Sequence, residues 1–171
     1  MTRRDVLERM LGAIGLLLGG RRAAAAASAA PGIERLDLPK SEWKKRLSPE
    51  AYAVLFEADT ERPSSSPLEK EKRTGSYVCA ACLLPLFESA AKFESGTGWP
   101  SFFQAIEGRV ATKTDYKLLL PRTEYHCARC GGHQGHVFED GPPPTGLRYC
   151  NNGVALRFVP EGEPLPPLVR S

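Results

Sequence analysis

Five cysteines in this 171-residue chain form two Cys-x-x-Cys pairs and one single residue. The pairs are Cys79 with Cys82, and Cys127 with Cys130. Two residues between thiolates let one tight turn present both sulfurs to an ion, so two such pairs can complete a tetrahedral zinc shell. A zinc ion with four protein ligands is structural, which argues against a zinc hydrolase. The fifth sulfur, Cys150, is left over as a candidate nucleophile.

The residues around Cys150 are suited to activating a thiol, because a reactive cysteine needs positive charge or hydrogen-bond donors beside its thiolate. Arg148 precedes Cys150 by two residues, so the two side chains would share one face of a strand. Asn152 follows Cys150 by two residues, so on a strand it would lie on the same face and could add a hydrogen-bond donor. His133 and His136 supply imidazoles that can deliver a proton to a developing oxyanion.

Trp99 follows two glycines in the stretch Ser95–Phe102. Its indole face can form an apolar wall that favours methyl groups carrying partial positive charge. Packing in the core is the alternative interpretation of this tryptophan.

Three alternatives compete with the zinc and nucleophile hypothesis. In an oxidising compartment the paired cysteines can form disulfides, although adjacent pairs make tight, strained loops. A thioredoxin-type oxidoreductase expects one pair opening a helix in a βαβ pattern, which this sequence lacks. A zinc-stabilised binding module without catalysis would not explain Arg148, His136 and Trp99 together.

The first 30 residues resemble a twin-arginine signal peptide. Arg3 and Arg4 precede nine apolar residues, Met10–Leu18, and Ala27-Ser28-Ala29 offers a small-x-small cleavage site. Nine residues are too few for a helix that crosses a bilayer, which needs about 20. Export to a bacterial periplasm is therefore predicted. A disordered tail or an uncleaved anchor helix is the alternative.

The basic charge of the chain belongs to this leader. Five arginines against Asp5 and Glu8 give residues 1–30 a net charge of +3, which equals the +3 of the whole chain, so the remainder is neutral. No positive surface is left to favour nucleic acid. We expect a monomer without stable membrane insertion after signal removal.

A linker at residues 31–39 and one domain at residues 40–171 are predicted for the exported part. Ser48-Pro49 begins a short helix with Tyr52, Leu55 and Phe56 on one face. Short alternating runs from Gly75 onward predict a mainly antiparallel β domain.

The alternating pattern also predicts a hairpin, a final strand and the placement of the two cysteine pairs. Residues 109–115 and 116–120 read as a hairpin, and Val154 begins a final strand through Phe158. The 44 residues between Cys82 and Cys127 exceed a zinc-ribbon spacing, so the two pairs should cap separate hairpins that meet in space.

Several motifs occur in order: Gly98-Trp99-Pro100-Ser101-Phe102, the paired Cys-x-x-Cys turns, Arg122-Thr123-Glu124, His133-x-Gly-His136-Val137-Phe138-x-Asp140-Gly141 and Gly146-Leu147-Arg148-Tyr149-Cys150-x-Asn152. Together they resemble the methionine-R-sulfoxide reductase family, MsrB. The resemblance implies two antiparallel β-sheets, one structural Zn²⁺ held by the four paired cysteines, and reduction of oxidised methionine in proteins.

The same resemblance implies the site roles. Cys150 attacks the sulfoxide sulfur and becomes a sulfenic acid, while His136 and His133 position or protonate the oxygen. Asn152 and Arg148 order the site. The substrate-binding set is Trp99, Arg148, Asp140 and Phe138; Trp99 would pack on the ε-methyl and select the R epimer, and Asp140 would support the histidines or Arg148.

Two positions depart from the family pattern. Many members carry a resolving cysteine where this chain has Thr97, and leucine is common where it has Gln134. With the other four cysteines committed to zinc, we expect a thioredoxin-like or other external thiol to reduce the sulfenic acid directly.

Overall fold

The computed structural model describes residues 33–117 and 120–170. The predicted signal peptide, residues 1–30, lies outside this part. Among the described residues, no helix is long and apolar enough to cross a membrane. The described part of the predicted linker, residues 33–39, has neither helix nor strand, yet Leu36 is buried and its N–H donates to the Arg129 carbonyl at 2.8 Å. This segment therefore packs on the domain.

Two α-helices, nine strands and three short 3-10 helices make up the described part. The helices are α1 (Lys40–Arg46) and α2 (Pro49–Glu57), and the 3-10 helices are Pro67–Glu69, Ser89–Ala91 and Gly153–Ala155. The strands are β1 (Gly75–Cys79), β2 (Pro85–Glu88), β3 (Lys92–Phe93), β4 (Ser101–Phe102), β5 (Val110–Asp115), β6 (Arg122–Cys127), β7 (His133–Phe138), β8 (Arg148–Asn151) and β9 (Leu156–Pro160).

The predicted helix at Ser48-Pro49 is confirmed as α2. The Ser48 hydroxyl accepts the N–H of Ala51 at 3.2 Å, which satisfies one of the free amides at the helix start. Tyr52 and Leu55 are buried, and Phe56 stacks on Trp43 of α1 with ring centroids 5.2 Å apart. The small helical part thus covers one side of the β domain.

Two antiparallel sheets form the rest of the domain, as the sequence predicted. One has the strand order β2-β1-β9, and the other has the order β3-β4-β8-β7-β6-β5.

Two predicted strand boundaries are wrong. The predicted hairpin of residues 109–115 with 116–120 does not form, since β5 pairs with β6 instead. The Asp115 carboxylate accepts the N–H of Lys117 at 2.9 Å and turns the chain there, so no strand begins at 116. Residues 118 and 119 of that prediction are not described. Val154 lies in a 3-10 helix and β9 starts at Leu156, because the Glu61 carboxylate accepts the amide of Val154 at 2.9 Å and caps that turn.

One face of the six-stranded sheet builds an aromatic core. Phe102 stacks on Phe87 of the other sheet with centroids 4.3 Å apart, and Tyr77 meets Phe102 edge-on at 4.9 Å. Tyr125 and Tyr149 meet edge-on at 5.2 Å. The contacts of Phe102 with Phe87 and Tyr77 fix one sheet against the other, since aromatic pairs in such geometries gain stability beyond their buried area.

The opposite face carries a transverse row of polar side chains. Successive strand pairs place Ser101 opposite Cys150, Cys150 opposite His136, and His136 opposite Glu124. Directly opposed residues in a sheet point to the same side, with Cβ atoms about 5 Å apart. The register alone therefore aligns the candidate nucleophile with an imidazole.

Strands β7 and β8 approach closely beside this row. Gly135 lies opposite Asn151, and a Cβ at Gly135 would overlap the carbonyl oxygen of Cys150. A side chain here would push β8 away at the position of Cys150.

We predict that Gly135→Ala destabilises the domain by about 1–3 kcal/mol, the usual cost of overpacking, and lowers turnover because Cys150 moves away from His136. Thr123→Ala, an exposed change on β6, is the control and should stay within about 0.5 kcal/mol of wild type. Urea unfolding measures both. Wild-type stability in Gly135→Ala would contradict the close packing.

Candidate active site and metal centre

The four paired cysteines meet in space, as their spacing predicted. Their sulfur atoms all lie within 4.8 Å of one another, with 3.7 Å between Cys79 and Cys130 and 3.5 Å between Cys82 and Cys127. Four sulfurs at tetrahedral corners about 2.3 Å from zinc would be about 3.8 Å apart. The cluster therefore fits one zinc ion.

The surroundings of the cluster favour a metal that binds thiolates. Cys79, Cys82 and Cys127 are buried, where a thiolate needs a cation bound beside it. The side-chain amide of Gln134 donates to Cys79 Sγ at 3.5 Å. These residues would hold the ion with no open position, so it would clamp the β1–β2 turn to the β6–β7 turn.

Cys150 lies half-buried on β8, apart from the metal cluster. Burial raises the pKa of its thiol, while the Arg148 guanidinium and the Thr97 hydroxyl oppose that rise. The sequence predicted a stabilised thiolate, but burial outweighs both donors in the free protein. The net effect is a Cys150 pKa above the ordinary value of a cysteine thiol.

Arg148 is fixed beside Cys150 by two neighbours. Its Nε and Nη2 donate to the two oxygens of Asp140, both at 2.8 Å, and its guanidinium lies over the Phe138 ring at 4.4 Å. Of the two predicted roles for Asp140, the structure shows support of Arg148. Phe138 is the cross-strand partner of Arg148. Asp140 and Phe138, both predicted to bind substrate, therefore hold the Arg148 guanidinium in place.

His136 is held by a carboxylate, Asp115, that was not among the predicted site residues. Its Nε2 lies 2.8 Å from Asp115 Oδ2, which also accepts from Arg122 at 2.7 Å. The backbone N–H of Lys117, the imidazole and the guanidinium keep the pKa of Asp115 below its ordinary value. Asp115 is thus a fixed anion that orients one nitrogen of His136 and leaves the other to exchange a proton.

His133 has an equivalent partner in Glu124. Its Nδ1 lies 3.2 Å from Glu124 Oε1, within ion-pair distance but not aligned for a hydrogen bond, and Lys113 reaches the same oxygen at 3.1 Å. Burial opposes ionisation of Glu124, yet His133 and Lys113 hold its pKa below the ordinary value. Burial lowers the pKa of His133, which favours its neutral form.

A β-bulge brings the two histidines together. Tyr125 pairs with Gly135, but the next residue, His126, pairs with His133, which leaves Gln134 as an extra residue in β7. Residues three apart on a regular strand point to opposite faces, so the bulge is what returns His133 to the face of His136. Their ring centroids are 5.5 Å apart.

Asn152 connects three segments and donates to the backbone. Its Nδ2 donates to the Gln134 carbonyl at 3.0 Å, and its Oδ1 accepts the N–H of Glu61 at 3.1 Å. Trp99 reaches the same loop, since Nε1 donates to the Glu61 carbonyl at 3.3 Å. A cavity of about 270 Å³ opens beside Trp99 and Phe93. Phe93 is the cross-strand partner of Ser101, which belongs to the polar row.

Strand alternation gave no signal for Asp115 and Glu124. Glu124 alternates in phase with Arg122 and out of phase with the core residue Tyr125, and Asp115 is the cross-strand partner of Arg122, so both belong to the polar face of their strands. The sequence gives no indication of which histidine each would meet.

The fold and site define a class of zinc-clamped β domain that carries a cysteine–imidazole pair on one sheet face. The SelR domain family matches residues 47–160 of the chain. The peptide methionine sulfoxide reductase MsrB of Methanosarcina barkeri is 55% identical over 125 residues, covering 72% of this chain and 88% of that protein. The MsrB of Bradyrhizobium diazoefficiens is 54% identical over 123 residues, covering 71% and 88%.

A plant protein extends the comparison. The chloroplastic peptide methionine sulfoxide reductase B1 of Arabidopsis thaliana is 49% identical over 126 residues, covering 73% of this chain and 62% of that protein. The chain belongs to the SelR family, that of the MsrB proteins, which confirms the resemblance carried by its motifs.

We predict that Cys79→Ser loses most of its zinc and melts at least about 10 °C lower, because binding of a structural zinc is part of the folding free energy. Cys150→Ser is the matched control and should keep about one zinc per chain and the wild-type melting temperature. Elemental analysis and thermal circular dichroism measure both. Full zinc in Cys79→Ser would contradict the four-cysteine site.

Proposed function

We infer that Cys150 is the nucleophile with which this chain, a methionine-R-sulfoxide reductase, reduces oxidised methionine. The observation that carries this assignment is the register of β7 and β8, which places Cys150 directly opposite His136. The metal cluster lies on separate turns. With zinc bound by its four sulfurs, Cys150 would be the one cysteine left to react.

The reaction balances with the groups at the site. Cys150 sulfur bonds to the sulfoxide sulfur while the sulfoxide oxygen takes up the proton that the thiol gives up. The oxygen then passes to the cysteine, which leaves methionine and a Cys150 sulfenic acid. Methionine sulfur gains two electrons and Cys150 sulfur loses two. Thiol ionisation and oxygen protonation are coupled, in keeping with a cysteine that is protonated in the free protein.

The imidazoles carry the proton in this scheme. His136, oriented by Asp115, takes the thiol proton or holds one for the sulfoxide oxygen. His133, whose burial favours the neutral form, contacts the oxygen as a second polar group. Arg148 stabilises the negative charge on sulfur as it develops, because Asp140 and Phe138 hold its guanidinium in place.

Trp99 supports selection of the R epimer. Its indole is fixed by the Glu61 carbonyl and, with Phe93, forms the aromatic part of a cavity whose other lining residues are Glu69, Lys70, Lys72, Glu94, Ser95 and Gly96. A methyl group next to a sulfoxide carries partial positive charge and is attracted to an aromatic face. A methyl group held against this indole would give the site a basis for distinguishing the two epimers.

An external thiol completes the cycle. One thiol converts the sulfenic acid to a mixed disulfide with release of water, and a second thiol frees Cys150 as the donor is oxidised to a disulfide. Thr97 stands where a resolving cysteine would be, so the chain has no thiol for this step. A thioredoxin-like protein or a small thiol fits this role.

The paired arginines and small-residue site of residues 1–30 support export by the twin-arginine route to a bacterial periplasm. That route carries folded proteins, so the zinc site would be filled before export. The substrates there would be oxidised proteins of the same compartment, and the enzyme would act as a monomer.

We predict that the wild-type chain reduces peptide-bound methionine-R-sulfoxide and leaves the S epimer unchanged, and that Cys150→Ser reduces turnover at least about 1,000-fold. Steady-state assays on separated epimers with dithiothreitol measure this. Cys82→Ser, which removes a metal ligand, is the contrasting control and should lose activity together with its fold. Turnover by Cys150→Ser would overturn the assignment of the nucleophile.

We predict that Cys150 carries a sulfenic acid and no intramolecular disulfide after one turnover without reductant. Dimedone labelling and peptide mass spectrometry detect the two products. Thr97→Cys is the positive control, because the introduced thiol should capture the sulfenic acid and form an intramolecular disulfide with Cys150. A disulfide between Cys150 and a zinc ligand in the wild type would exclude direct reduction by an external thiol.

A further inference from the structure

Three hydroxyl groups lie in series beside the nucleophile. The Ser95 hydroxyl is 2.8 Å from the Thr97 hydroxyl and 2.7 Å from the Ser101 hydroxyl. Ser101 is fully buried and reaches the Trp99 carbonyl at 3.1 Å. Both hydroxyl–hydroxyl distances are those of good O–H···O hydrogen bonds.

Both ends of this series are close to Cys150. Ser101 is its direct cross-strand partner on β4, and the Thr97 hydroxyl lies near enough to oppose the rise in the pKa of the Cys150 thiol. The segment between them turns through Gly98, which has φ of +89°. The turn folds the three hydroxyls into a short chain that begins at the Trp99 carbonyl and ends at the Thr97 hydroxyl, on the side of Cys150.

The three hydroxyl protons can all point in one direction along this chain, away from Cys150. Each hydroxyl has one proton to donate. When Ser101 donates to the Trp99 carbonyl, Ser95 donates to Ser101 and Thr97 donates to Ser95. Thr97 then has only lone pairs left for Cys150, which suits an S–H or S–OH group as donor.

The opposite direction, with all three hydroxyl protons pointing toward Cys150, suits the Cys150 thiolate. When Thr97 donates to a Cys150 thiolate, Ser95 donates to Thr97 and Ser101 donates to Ser95. Only the Trp99 carbonyl loses a partner, and every hydroxyl stays bonded. Because rotation of three O–H bonds is sufficient, the chain can follow the charge on sulfur without moving a heavy atom.

We propose that Thr97, Ser95 and Ser101 form a reversible hydroxyl chain that donates to the Cys150 thiolate and accepts from its thiol and sulfenic acid. The proposal rests on Cys150 being the nucleophile. Thr97 contacts the reacting sulfur, and Ser95 and Ser101 act through Thr97 as positioning residues. At a position where a second cysteine would supply a thiol, this chain supplies a hydrogen-bond donor.

Other charged groups also face Cys150. Arg148 on β8 favours its anion, and Asp140 beside Arg148 disfavours it. His136 on β7 is its cross-strand partner, and Tyr125 lies behind it in the core. None of these groups hydrogen-bonds to Ser95, so a change at Ser95 isolates the hydroxyl chain.

The test is the pH dependence of Cys150 alkylation by iodoacetamide, read by peptide mass spectrometry without substrate. Thr97→Val removes the hydroxyl at nearly constant volume and should raise the midpoint by about one pH unit, the effect of losing one hydrogen bond to a charge. Thr97→Ser should restore the wild-type midpoint. Arg148→Met is the positive control for an upward shift.

Ser95→Ala distinguishes a chain from a single contact. Ser95→Ala alone should raise the midpoint by a smaller amount, and in the Thr97→Val background it should have no further effect. An unchanged midpoint in Thr97→Val, or equal shifts from Ser95→Ala in both backgrounds, would overturn the proposal. Because no substrate is present, these outcomes are independent of the epimer assay, which tests the assignment of the nucleophile.

Discussion

The site depends first on the clamp that joins two distant turns through four thiols. Cys127 ends β6 and Cys130 lies in the turn to β7, and the same hairpin carries both histidines a few residues later. Short hairpins are marginal on their own, and their register can slip. A metal across the two turns would fix where β7 starts, and so which residues of β7 face Cys150. The zinc would contribute to catalysis by holding a register rather than by touching substrate.

Within that frame, a single extra residue decides the chemistry. The bulge at Gln134 returns His133 to the face of His136 and sends the Gln134 amide toward the metal cluster. Its backbone carbonyl also accepts two hydrogen bonds from Asn152. One irregular residue thus connects the metal centre, the imidazoles and the strand of the nucleophile, consistent with the occurrence of bulges beside active sites.

Opposing electrostatic effects set the state of Cys150. Burial favours the thiol, and Arg148 with Thr97 favours the thiolate. A strongly stabilised thiolate would be a weaker nucleophile and would be oxidised without substrate, since nucleophilicity falls with pKa. A protonated cysteine with a cation and a hydroxyl donor alongside can ionise when the sulfoxide oxygen accepts a proton. Fixed carboxylates at Asp115 and Glu124 keep the imidazoles oriented for that transfer.

The division of the cysteines, the helix start at Ser48 and the antiparallel class could be predicted from the residues alone, because they follow from ligand spacing, capping and short-range periodicity. The motifs that carry the family resemblance also predicted the candidate site residues. The folded structure was needed to show that Asp140 holds Arg148, that Asp115 and Glu124 lie against the histidines, and that burial raises the pKa of Cys150. Each of these depends on strand register, a bulge or solvent exclusion, and such long-range geometry leaves no periodic signal in the chain.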